Sequence, residues 1–162
     1  MTAADWETFY SAQLGAAAAL LGLVFVGLSL NLAKILTYFW LPTRALIALM
    51  VLMAILLIAS FMLIPGQPLV FLGTETAATG LIFLLIGTVM EMKALRKGKI
   101  QNRKGFIGNM ILLEFGLVPY IVGGALLMLG MASGFYFVAA GVIISFLKAL
   151  LDAWVLLVEI NR

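Results

Sequence analysis

"ALIALMVLMAILLIASFMLI", residues 45–64, runs for twenty positions without a charge. At 1.5 Å per helical residue that is about 30 Å, the thickness of a bilayer's hydrocarbon core. The run stops at Pro65-Gly66, with Pro68 close behind, and "LPTR" (41–44) precedes it. Proline and glycine break helices, so the punctuation sets off one membrane-crossing segment at about 43–64.

Working outward, four more apolar runs of comparable length appear, at about 11–36, 69–92, 106–131 and 134–160. The chain of 162 residues is 65% hydrophobic and only 10% charged, with a mean hydropathy of +1.21. Soluble domains carry about 25% charge and polar faces between apolar ones. The predicted fold class is therefore all-α, a polytopic bundle of five transmembrane helices. Residues 1–162 read as one domain, because the connections are too short to divide it.

Lys93, Arg96, Lys97, Lys99, Arg103 and Lys104 crowd the connection between spans three and four. Lys34 and Arg44 flank the connection between spans one and two, and Arg162 ends the sequence. Positive charge collects on the cytoplasmic side, which predicts an N-out, C-in topology with every Lys and Arg except Lys148 inside. Trp6, Phe9 and Tyr10 then read as an outer interfacial belt, and Tyr38, Phe39 and Trp40 as an inner one. The first run follows the acidic, aromatic "DWETFY" (5–10) and has no basic leader, so it reads as a retained span and not a cleaved signal. The basic stretch 93–104 reads as a topology signal with attraction to anionic lipid, not as a nucleic-acid patch.

There is no His and no Cys. Disulfides, thiolate chemistry, the usual zinc sites and His-based nucleophiles are excluded. No cofactor, metal site or enzymatic activity is expected. The nine methionines read as adaptable packing.

Small residues recur seven apart: Gly15, Gly22 and Ser29 in span one; Gly73, Gly80 and Gly87 in span three; Gly116, Gly123 and Gly130 in span four; Gly134 and Gly141 in span five. Such stripes stay on one face and let helix backbones approach, which is how helices associate in lipid. They predict packing within the bundle or against a second copy. Span two has no Gly and is expected to lie outermost, facing lipid.

Three ionisable residues interrupt the apolar runs at one depth. Asp152 and Glu114 lie roughly 12 Å from the basic side and Lys148 roughly 18 Å, counting along the helices. Alone, each would cost about 2.5–3.5 kcal/mol in a span. Lys148 and Asp152 are four apart, in the weaker i,i+4 order, so Glu114 is expected as the third member of the cluster. Two acids against one base leave an excess negative charge, which a proton or cation would relieve. Ser145 lies on the same face of span five, followed one heptad beyond Asp152 by Glu159. Pro119 would kink span four near Glu114 and free a backbone carbonyl. Ser29 and Asn31 could hydrogen-bond into the same cavity, Glu91 is expected to meet Lys93 or the basic stretch, and Glu75 to sit at the outer interface.

The first span, "SAQLGAAAALLGLVFVGLSLNLAKIL", followed by "LPTRA" and "IPGQP", resembles small bacterial integral membrane proteins of unknown function, some labelled modulators of a membrane-bound AAA protease. The resemblance implies a bacterial inner-membrane setting and brings no functional residues with it. Two functional readings follow from the residues. One is a transport-type homo-oligomer using Glu114, Lys148 and Asp152 to bind or conduct a proton or cation. The other is a non-catalytic accessory or regulatory subunit whose charged cluster is structural or docks a partner membrane protein.

Overall fold

The computed structural model describes residues 3–96 and 103–160. A 3-10 turn, Ala3–Trp6, leads into α1 (Glu7–Leu30), a short α2 (Leu32–Ile35), α3 (Leu41–Met62), α4 (Leu69–Arg96), α5 (Arg103–Met128) and α6 (Gly134–Ile160). The five long helices are each apolar and long enough to cross a membrane, so the protein is an all-α, multi-pass membrane protein. The remaining part of the basic stretch, 97–102, and Arg162 lie outside the described residues, as do the side chains of Arg103, Lys104 and Glu159.

Helices α3, α4, α5 and α6 pack as a closed ring, each against the next and α6 back against α3. Helix α1 lies outside the ring, mainly against α3. All connections at one end carry the described bases Lys34, Arg44, Lys93 and Arg96, here termed the basic end.

The turns follow from their residues. Gly66 adopts φ 67° after Pro65, closing the α3–α4 connection. At the end of α5, Gly130 takes φ 75°, with Gly130 N donating to Leu127 O and Met131 N to Leu126 O, both at 2.9 Å. That double bond is a Schellman ending, and it stops the helix at Met128, three residues before the expected 131. Helix α1 begins four residues before its expected start, at Glu7. It stops at Leu30, where Asn31 interrupts it.

The glycine stripes of α4, α5 and α6 do what their spacing predicts, except at Gly130, which lies past the end of α5 with nothing within 4 Å of where a Cβ would stand. A Cβ on Gly73 would fall 2.5 Å from Gly124 O, and one on Gly80 2.8 Å from the Tyr120 side chain. One on Gly87 would meet Leu113, one on Gly116 Ser145, one on Gly123 Val138 and one on Gly141 Tyr120. At Gly73 and Gly123 the atoms met include backbone, so only glycine lets the helices close to such distances there.

One expectation about packing is overturned, and the stripe of α1 is not used within the bundle. Gly15 and Gly22 of α1 have no neighbouring atom within 4 Å of where a Cβ would stand, and they face outward with Ser29. Span two is not outermost. Of the apolar stretch of α3, 56% is buried inside the molecule, against 6% for α1. Leu and Ile are as well satisfied by protein side chains as by lipid tails, so an all-apolar helix carries no directional signal. The alanines of α3 carry one: Ala45, Ala48, Ala54 and Ala59 are all buried, and they let α1, α4 and α6 approach.

Opposite the basic end, aromatic rings fasten α1 to α6. Trp6 stacks on Phe135 at 6.0 Å and meets Tyr136 edge-on at 5.0 Å. Tyr10 is fully buried, and its hydroxyl reaches Phe135 O at 3.4 Å.

Candidate functional site

The ring's charges converge near the basic end. Arg44 enters one turn into α3, where Pro42 sits in the first turn and Trp40 stands at the N-cap. Its guanidinium lies 5.8 Å from the Trp40 ring and reaches inward. Nε donates to Asp152 Oδ1 at 2.8 Å, and a terminal nitrogen donates to Asn109 Oδ1 at 3.0 Å. The second oxygen of Asp152 accepts from Lys148 Nζ one turn back along α6. Asn109 of α5 passes the connection on, its Nδ2 donating to Glu91 Oε1 of α4 at 3.1 Å. One hydrogen-bonded chain thus joins all four ring helices.

Lys148 and Asp152 are wholly buried and Glu91 nearly so; Arg44 keeps a 19% exposed side chain at the rim. Burial of this kind is tolerated only when the charges are paired. Formally, two bases (Arg44, Lys148) face two acids (Asp152, Glu91), and Glu91 lies within electrostatic reach of Arg44, Lys148 and Asp152. Glu91 Oε2 has no hydrogen-bond partner among the described residues.

Deeper along α6, Ser145 Oγ donates to Gly116 O at 3.3 Å and accepts from the buried Tyr120 hydroxyl at 3.1 Å. This second polar contact pins α5 to α6 and is separate from the charged chain. One small crevice between α3, α4 and α5, lined by Met50, Phe83, Leu113 and Leu117 among others, is too tight for a water molecule.

The structure joins Lys148 to Asp152 as their spacing predicts, but it does not bring Glu114 to them. Glu114 is half-buried in an open apolar groove with Ile111, Phe115, Val118, Pro119, Val122 and Phe137, and makes no hydrogen bond or ion pair with any described residue. The reason is azimuth. Gly116 faces Ser145 of α6, and two residues along a helix turn the side chain by about 200°. Glu114 therefore shares the depth of the cluster but points the other way. Its place as third member is taken by Arg44, set aside in the sequence as a flanking charge.

Other expected members also lie elsewhere. Ser29 Oγ donates to Phe25 O and Asn31 Nδ2 to Gly27 O, each at 2.8 Å within α1, away from the network. Pro119 lies in the groove beside Glu114. Glu91 meets Asn109 and not Lys93, while Glu75 accepts from Gln67 Nε2 at 2.6 Å beside the α3–α4 turn. Asn109 and Arg44 carried a readable signal: both stand one to two turns from the basic end, level with Glu91 and Asp152.

No protein-family model, characterised protein or solved structure matches the chain, so the geometry stands on its own.

Proposed function

We propose that the protein is a non-catalytic accessory or regulatory membrane subunit whose buried charges hold its own fold. The observation that carries this reading is the continuous chain Lys148–Asp152–Arg44–Asn109–Glu91, balanced in formal charge and supplied by all four ring helices. Conducting a proton or cation requires groups that exchange with water along a path. Lys148, Asp152 and Glu91 are shut from solvent inside the ring and only Arg44 reaches its rim, which supports an architectural role over a conducting one. In this reading the chain sits in a bacterial inner membrane, N-out and C-in, with Lys93 and Arg96 drawn to anionic lipid.

The transport reading, a homo-oligomer with a pathway between copies, draws its support from Glu114, the one ionisable group described here on a lipid-accessible groove without a partner. Flux measurements separate the two. Sealed liposomes holding the purified protein should pass protons, sodium and potassium no faster than empty ones. A flux that disappears on Glu91→Gln, Glu114→Gln or Asp152→Asn, with the fold retained, would establish the transport reading instead.

A further inference from the structure

Ile111, Phe115, Val118 and Val122 recur at helical spacing on an outward face of α5, between 39% and 65% exposed. With Pro119 and Phe137 they make a groove of about 350 Å³ around Glu114. From Ile111 to Val122 the stripe runs for about 16 Å along α5 and stays open at its side. Glu114 lies roughly 12–16 Å from the basic end of its helix, close to the middle of a bilayer core.

A bare carboxylate at that depth is costly, and hydrocarbon offers it no donor. The cations nearest in depth are committed: Lys148 to Asp152, and Arg44 to Asp152 and Asn109. Lipid tails can fill the apolar part of the groove but bring no positive charge to its middle. Charge complementarity therefore asks for a cation delivered from the membrane phase. The groove's length, its course along one helix and its open side suit a rod-shaped occupant, packed on α5 as α4 and α6 already are.

We propose that this groove is the docking face for a transmembrane helix of a partner protein that carries a Lys or Arg near its middle, paired with Glu114. The proposal rests on the accessory-subunit reading and gives that subunit its means of attachment. Helices without small residues at the contact gain little from apolar packing in lipid, so the ion pair supplies the selectivity. Phe115 and Phe137, whose ring faces attract cations, flank the position it would take.

The test uses the full-length protein in lipid nanodiscs with a synthetic Leu-rich transmembrane peptide bearing one central Lys, and a matched peptide with Met in its place. Association is read by energy transfer between labelled peptide and protein. The Lys peptide is expected to bind about tenfold more tightly than the Met peptide, a preference lost in Glu114→Gln and kept in Glu114→Asp. Because Glu114 has no internal partner, Glu114→Gln should unfold at the wild-type temperature, which confirms that the comparison is between folded proteins. Equal binding of both peptides, or a preference that survives Glu114→Gln, overturns the proposal. So does Glu114-dependent binding of tetraphenylphosphonium without any Lys-peptide preference, which would make the groove a small-cation site. Ion flux from the protein alone would overturn the accessory reading by a separate measurement, without touching the peptide result.

Discussion

Asp152 and Arg44 stand 108 residues apart and meet at 2.8 Å, while the other oxygen of the same carboxylate holds Lys148. One carboxylate thus neutralises two cations from two helices, and its removal should hurt more than removal of either base.

Asp152→Asn leaves Lys148 wholly buried without its counter-charge, a loss on the order of 3–5 kcal/mol. Lys148→Met leaves Asp152 still paired to Arg44 and should be milder. The double substitution Lys148→Met/Asp152→Asn should be more stable than Asp152→Asn alone. Unfolding in mixed micelles gives all three values, and strict additivity would show that the pair is not coupled.

The glycines divide into two groups that one substitution can tell apart. Gly124→Ala would place a Cβ 2.6 Å from Ala77 N and Gly73 O, so it should destabilise the α4–α5 contact by about 1–3 kcal/mol. Gly22→Ala meets nothing within 4 Å and should leave the unfolding temperature of the purified protein unchanged. A large loss from Gly22→Ala would mean that this face of α1 is covered in the assembled protein.

The aromatic clamp makes a separate prediction about α1. Trp6 contacts Phe9, Tyr10, Phe135 and Tyr136, so Trp6→Ala should cost about 2–3 kcal/mol and free the first turns of α1. Hydrogen exchange should rise at residues 7–14 and stay unchanged in α4 and α5. Exchange that rises throughout would show that α1 is integral to the ring.

Topology is checked with reporters. A fusion after Arg162 should behave as cytoplasmic and one inserted at 65–68 as external, since the described and sequence-read bases gather at one end. Reversed results at both positions would invert the assignment while leaving the five-span fold intact.

The number of spans was legible because length and absence of charge are one-dimensional properties. The glycine contacts of α4, α5 and α6 were legible for a similar reason: a seven-residue stripe fixes a face. What sequence alone could not supply was which way each face turns. Glu114 and Asp152 were placed at the same depth, and depth is only one coordinate of a bundle. In sequence Arg44 reads as a boundary charge, although a side chain of its length one turn inside α3 can reach a carboxylate across the ring. The exposure of Gly15 and Gly22 was hidden because a stripe of small residues has the same spacing whether or not a neighbour fills it.

The charged chain also has a consequence for how the protein is made. Arg44 leaves the ribosome with the second long helix, but its carboxylate partner belongs to the last. Until α6 is synthesised, Arg44 can reach Glu91 only through Asn109 and has no carboxylate of its own. A chain interrupted before residue 152 lacks the carboxylate that neutralises Arg44. The network is therefore complete only once α6 has been delivered.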